Sequence, residues 1–274
     1  MVWRMRFFDG CTALITGASA GLGAEFARQL APRAHALILV ARRADRLEAL
    51  KAELNEKFVD CDVRIYVADL ADEPARTAFA AWLKSESLRV DFLINNAGLG
   101  DHGSFEASAW DRVRSMLDVN IAALTHLTHL LLPDMRKSGR AAILNVSSVA
   151  SFFPLPNLAV YSATKAYVTS FSEALRMELQ ETGVSVTALC PGPVETEFFS
   201  VATRPGDEAN AAHFKTMPAF TVSAQEAVHA GLEAVAKDRA RVVPGLVLML
   251  AVSAAAIVPF WIIRRILAAN SRRI

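Results

Sequence analysis

"TALITGASAGLGAEFARQLA", residues 12–31, is the stretch whose reading decides the fold. Thr12 to Thr16 form a short apolar run of the kind found in buried strands. Gly17, Gly21 and Gly23 follow at once, and beyond them the apolar residues take up helical spacing. A strand that passes through glycines straight into a helix has a definite physical use. Gly17 permits a tight turn, Gly21 lets the backbone approach a pyrophosphate, and Gly23 allows the helix to lie close against the strand. Ser19 and Leu22 complete a helix start whose N–H groups and positive dipole end suit a phosphate. The glycines are spaced differently from G-x-G-x-x-G, so the strand-to-helix context carries the reading.

The same strand signature recurs outward from this turn. "ALILVA" (36–41), "VRIYVA" (63–68), "DFLINN" (91–96), "AAILNVSS" (141–148) and "VSVTALC" (184–190) repeat it, and "RARVV" (239–243) supplies a seventh strand. Helical patterns lie between them, among them "ADRLEALKAELNEKF" and "WDRVRSMLDVNIAALTHLTHLLLPDM". This alternation predicts an α/β fold with one doubly wound parallel sheet of about seven strands flanked by helices. A chain of 274 residues suits one large domain, here 1–245, followed by an apolar helical tail, 246–274. Residues 193–220 lack clear periodicity and leave the sixth strand where open sheets bind ligands, which predicts a lid.

Lys and Arg number 29 against 28 Asp and Glu, a balance that excludes nucleic acid as the expected partner. The three cysteines, Cys11, Cys61 and Cys190, are odd in number, far apart and set in apolar runs, as core thiols in a reducing compartment are. "MVWRMRFFDG" has no apolar stretch before a cleavage site, so a cytoplasmic location is expected. His126 and His129 sit three apart on a helical pattern without an evident third ligand, so no metal site is read.

Strand two indicates the dinucleotide. A carboxylate at its end would bind the ribose 2′-hydroxyl of NAD, yet Ala41 stands there with Arg42 and Arg43 behind it. Guanidinium groups suit a 2′-phosphate, and cations at a helix start are unfavourable unless an anion joins them, so NADP(H) is expected.

"YSATK" places Tyr161 and Lys165 four apart, on one face of a helix that Gly183 ends. Taken in order, "TGASAGLG", "NNAG" (95–98), "DVN" (118–120), "NVSS" (145–148), "YSATK" (161–165) and "PGPVET" (191–196) resemble the short-chain dehydrogenase/reductase family over residues ~8 to ~198. The resemblance implies a Rossmann-like fold and a catalytic tetrad of Asn120, Ser148, Tyr161 and Lys165. Ser148 is preferred to Ser147 because it lies 13 residues before Tyr161. It also implies that Asp69 contacts adenine and that Asn95, Ala97 and Gly98 line the adenine-ribose side. Lys165 would meet the nicotinamide ribose, while Pro191, Gly192 and Thr196 would lie along the nicotinamide. A homodimer or homotetramer is implied as well.

Carbonyl reduction gives those roles a physical basis. While a hydride reaches carbon, a proton must reach oxygen, and donors for the growing alkoxide must already be in place. Ser148 and Tyr161 are the expected donors. A free tyrosine has a pKa of about 10, and a cation ~4 Å from the phenolate contributes about 4 kcal/mol at an effective dielectric of 20. Lys165 is therefore expected to acidify Tyr161, which would act as general acid in reduction and general base in oxidation. Asn120 is expected to fix a water for proton return. Phe152, Phe153, Leu155, Phe198 and Phe199 favour an apolar carbonyl or alcohol as substrate.

No charged residue occurs from Val242 to Ile263, after which come Arg264, Arg265, Arg272 and Arg273. Pro244, Gly245 and Pro259 interrupt the run and leave Leu246 to Val258 clean, too short to span a bilayer. Residues 246–263 therefore belong to a subunit interface, a cover over the substrate pocket, or a membrane surface. The expected function is NADP(H)-dependent reduction of an apolar ketone or aldehyde. The alternatives are a non-catalytic NADPH sensor or scaffold, and a membrane-attached reductase of a lipid intermediate.

Overall fold

The computed structural model describes residues 6–194, 196–204 and 220–271. Seven strands form one sheet: β1 (Thr12–Thr16), β2 (Ala36–Ala41), β3 (Asp62–Val67), β4 (Phe92–Asn95), β5 (Ala141–Val146), β6 (Val184–Leu189) and β7 (Arg241–Val242). Their order is β3-β2-β1-β4-β5-β6-β7, and every neighbouring pair is parallel. The helices are α1 (Gly21–Leu30), α2 (Ala44–Lys57), α3 (Glu73–Ser85), α4 (Trp110–Leu117), α5 (Leu124–Ser138), α6 (Ala159–Glu178), α7 (Glu197–Ala202), α8 (Ala224–Ala236), α9 (Leu246–Ala256) and α10 (Phe260–Ser271). The fold is Rossmann-like.

Burial on both faces explains why the strands read as unbroken apolar runs. Leu37 and Leu39 of β2 enter one core with Phe26 and Leu30 of α1, Leu47 and Leu54 of α2, and Val228 and Leu232 of α8. Ile38 and Val40, the residues between, enter the opposite core with Phe79 and Leu83 of α3, Leu127 and Leu131 of α5, and Leu175 of α6. The chain winds outward in both directions from β1 and β4, and this switch in strand order opens a crevice at their C-terminal ends.

Two departures from the sequence expectation matter for the site. The helical pattern 110–135 is not one α-helix, because Asp118–Ala123 widens into a π-helical turn between α4 and α5. Such turns recur at functional sites because they shift side chains out of α-helical register, and this one carries Asn120. The apolar tail forms two helices with a bend of 118° between them. No single helix among the described residues is long and apolar enough to cross a membrane.

Candidate active site

A cavity of about 410 Å³ lies at the C-terminal edge of the sheet. One end is formed by the β1–α1 turn, where Gly17 takes φ +67°, a left-handed conformation that suits glycine. The turn is clamped from β4. Thr16 Oγ1 accepts hydrogen bonds from the Asn96 and Ala97 amides at 3.0 Å each. Asn96 Nδ2 donates to the carbonyls of Thr16 (2.9 Å) and Gly17 (3.2 Å). Gly23 sits behind the turn, where a Cβ would fall 2.2 Å from the Gly17 carbonyl oxygen. It holds α1 against the turn and does not itself line the cavity. Ser19, Gly21 and Leu22 do line it, and no side chain caps the helix start at Ala20. First-turn amides therefore face the space where a pyrophosphate would lie.

Arg42 and Arg43 form the far rim, with Asp69 beside them. Arg42 lies 3.8 Å from the Asp69 carboxylate. Arg43 donates to Ser19 Oγ through Nε (3.3 Å) and Nη2 (3.2 Å), and to Glu197 at 3.2 Å. Arg46 also reaches Glu197, at 2.7 Å. Hydrogen bonds from Arg46 and Arg43 hold the Glu197 carboxyl below the usual carboxylate range. Glu197, at the start of α7, is a site residue that sequence reasoning missed.

At the opposite end, Ser148, Tyr161 and Lys165 line the same cavity as Gly98, Pro191, Gly192 and Thr196. Ser148 caps a short 3₁₀ turn, its Oγ accepting from the Ala150 amide at 3.1 Å. Ser147 is committed to the helix behind, donating to the Lys165 carbonyl at 2.9 Å and bonding Thr169 Oγ1 at 2.7 Å. Lys165 is buried; its Nζ donates to the Val146 carbonyl at 2.8 Å and lies 5.7 Å from the Tyr161 ring centre. A Cβ on Gly98 would come within 3.4 Å of that Nζ, so glycine keeps the space in front of the ammonium open.

The acid–base state differs from the sequence expectation. Burial pushes the Tyr161 phenol up to about 12, against a smaller downward pull from hydrogen bonding with Ser148. Burial likewise pulls the Lys165 ammonium down to about 8. Burial, rather than Lys165, sets the direction of the Tyr161 shift: the ammonium is turned to the Val146 carbonyl, and desolvation opposes charge on both groups.

Four other residues lie where the sequence reading did not put them. Asn95, the last residue of β4, points into the protein and donates to Thr128 Oγ1 (3.1 Å) and Asn145 Oδ1 (2.8 Å), so its neighbour Asn96 lines the cavity. Asn120 is buried behind the cavity wall. Its Oδ1 accepts from the Leu99 amide (2.8 Å), and its Nδ2 donates to the Leu99 carbonyl (2.9 Å) and Thr164 Oγ1 (3.0 Å). The side chain thus ties the loop after β4 to α6, one residue from Lys165, and acts by position. Phe152 packs under the Arg241 guanidinium at 5.0 Å, and neither it nor Phe153 lines the cavity. His126 accepts a hydrogen bond from Arg76 at 3.1 Å, and no group of three or more metal-ligating residues occurs among the described residues.

Of the segment read as a lid, Glu195 and residues 205–219 lie outside the described residues, as does the Phe199 side chain. The described part runs along the cavity mouth. The Phe198 ring centre lies 5.6 Å from that of Tyr161, and Val201 lines the mouth. At the end of α7 the His102 amide donates to the Ala202 carbonyl at 3.0 Å, and just beyond it Arg204 pairs with buried Asp101 at 2.6 Å.

Comparison with known proteins agrees with this geometry. Residues 11–205 match the family model for short chain dehydrogenase. A sulfoacetaldehyde reductase of Chromohalobacter salexigens is 40% identical over 212 residues, 76% of this chain and 81% of its own. A short-chain dehydrogenase from Sphingobium yanoikuyae, solved with NADPH, superposes with a TM-score of 0.79 at 33% identity, covering 90% of this chain and 92% of its own. A bulky-bulky ketone specific alcohol dehydrogenase from Comamonas testosteroni does so with a TM-score of 0.74 at 29% identity, covering 86% of each chain. The substrates in the names of these relatives differ, one a small sulfonated aldehyde and another a bulky ketone.

Proposed function

Since the chain belongs to the short-chain dehydrogenase/reductase family, an NAD(P)-dependent oxidoreductase acting on CH–OH groups, we propose that it uses NADPH to reduce an apolar ketone or aldehyde. The observation that carries this reading is one cavity with a glycine turn and two arginines at one end and Ser148, Tyr161 and Lys165 at the other. The residues present fit a dinucleotide. The α1 amides suit the pyrophosphate, Arg42 and Arg43 suit a 2′-phosphate, and the Lys165 ammonium faces space that Gly98 leaves open. When bound, the nicotinamide supplies the hydride.

The chain's own part is to bind the carbonyl and deliver a proton. Ser148 and Tyr161 hydroxyls donate to the carbonyl oxygen, and their fixed positions stabilise negative charge as it grows there. The Tyr161 proton then passes to that oxygen. A phenol raised to about 12 stays protonated at neutral pH, which suits the resting protein to reduction rather than oxidation. Lys165 returns positive charge to the phenolate left behind, at a distance that burial makes electrostatically effective.

Substrate class rests on the wall facing Tyr161. Val149, Leu155, Leu158, Val194, Phe198 and Val201 line the cavity, Phe198 against the Tyr161 ring, and apart from Lys165 the charged side chains Arg42, Arg43, Asp69 and Glu197 lie at the dinucleotide end. That distribution favours an uncharged substrate over a sulfonate or carboxylate. Oxidation of NADPH and NADH should be followed with ketosteroids, fatty aldehydes, β-ketoacyl thioesters and small diketones. Faster turnover with NADPH on an apolar carbonyl is the expected result. Faster turnover with NADH, or acceptance of sulfonated aldehydes alone, would overturn the reading.

A further inference from the structure

We propose that α9 and α10 form a lipid-docking surface that inserts apolar side chains into one leaflet and sets arginines against anionic headgroups. The surface is apolar, exposed and rooted in the fold. Leu248 alone of the large side chains of α9 is buried, and it presses on Gly192, whose added Cβ would meet Leu248 Cδ2 at 2.5 Å. That contact fixes the helix to the protein and turns Leu246, Val247 and Leu250 outward, the last at 57% exposure. Ile257 at the bend is 86% exposed, and Phe260 and Trp261 open α10 at 52% and 55%. A run of large side chains this exposed marks a surface that is covered in use.

Charge selects lipid over a second copy of the chain. From Val242 to Ile274 there is no acidic residue, and Arg264, Arg265, Arg272 and Arg273 follow the apolar run. Arg264 lies over the Phe260 ring at 5.4 Å and Arg265 over Trp261 at 5.6 Å, pairing aromatic rings with cations as at a membrane–water boundary. A two-fold contact through this face would bring two sets of arginines together without carboxylates, whereas anionic headgroups neutralise them. The geometry also fixes the mode. Helices of 11 and 12 residues reach about 16 and 18 Å, each short of the ~30 Å hydrocarbon core, and the 118° bend prevents their joining into one span. The pair therefore dips into one leaflet and returns.

Flotation of the full chain with vesicles tests this, and it is independent of the reading of the cavity. One set would be phosphatidylcholine and another phosphatidylcholine with phosphatidylglycerol. Wild type should float with the anionic vesicles, and high salt should weaken this. Arg264→Gln with Arg265→Gln should lower partitioning about five-fold per arginine. Leu250→Glu with Trp261→Glu should abolish flotation at an unchanged unfolding midpoint, since both side chains are exposed. Protein left in the buffer with both vesicle types would overturn the proposal. So would a concentration-dependent dimer that Leu250→Glu disperses, which would assign the face to a second copy. Equal flotation with neutral vesicles, unaffected by the arginine changes, would overturn the role given to anionic headgroups.

Discussion

The two ends of the cavity hold positive charge in opposite ways. At the dinucleotide end the cations are exposed and paired with carboxylates: Arg42 with Asp69, and Arg43 and Arg46 with Glu197. At the reaction end, Lys165 is buried and donates to a backbone carbonyl. An exposed, paired guanidinium can exchange one anion for another at little cost, since salt and water already screen it. A buried ammonium responds to every charge that arrives, and its own burial is unfavourable. One end is therefore built to recognise an anion and the other to sense charge during the reaction.

The largest effects that would sharpen this contrast are expected at Lys165 and Ser148. Ser148→Ala removes one of two donors to the growing oxyanion and should lower kcat about 10²–10³-fold, as steady-state kinetics would show. Lys165→Met should abolish turnover as well, yet stabilise the fold. An ammonium whose pKa falls from 10.5 to about 8 on folding costs stability at pH 7, on the order of 3 kcal/mol. Between about pH 8 and 10.5 the unfolded chain binds more protons, so this contribution makes stability rise with pH through that window. Denaturant titrations at pH 7 and 10 should show the rise in wild type and its loss in Lys165→Met. A destabilised variant would contradict the account.

Gly23→Ala places a methyl carbon against the Gly17 carbonyl and should destabilise the fold by about 1–3 kcal/mol while weakening NADPH binding. Arg43→Ala should weaken NADPH binding about ten-fold or more and leave NADH binding nearly unchanged, because only the 2′-phosphate would use the lost guanidinium. Glu197→Gln should have the smallest effect. With the carboxylate gone, Arg43 and Arg46 are available to the 2′-phosphate, so NADPH should bind a few-fold more tightly in calorimetry. Weaker binding would mean that Glu197 supports the site and does not compete with its ligand.

What could be read from the sequence follows the range over which each feature is determined. The strands, the glycine turn and the Tyr161–Lys165 pair are local, because burial on both sheet faces, a tight turn and helical spacing each write themselves into a few neighbouring residues. Asn95 and Asn96 show the limit of that reading. Strand alternation sends them to opposite sides, and Asn95 pairs in register with Asn145 of β5, a signal that strand pairing could have supplied. The π-helical turn at Asn120 leaves no mark in the apolar spacing around it. The Glu197 contact joins residues 154 apart, and the Tyr161 pKa depends on burial and on the Ser148 hydrogen bond. Neither is written in any local pattern. The tail was legible as apolar and broken at Pro259, while its bend and exposure needed the fold.

The central claim is that Tyr161 hands the proton to the carbonyl within a dinucleotide cavity, and Tyr161→Phe tests it most directly. NADPH binding by fluorescence and turnover on the best carbonyl substrate should be measured side by side for wild type and variant. The account predicts unchanged NADPH affinity with turnover lowered about 10²–10⁴-fold. Turnover equal to wild type at the same affinity would contradict it.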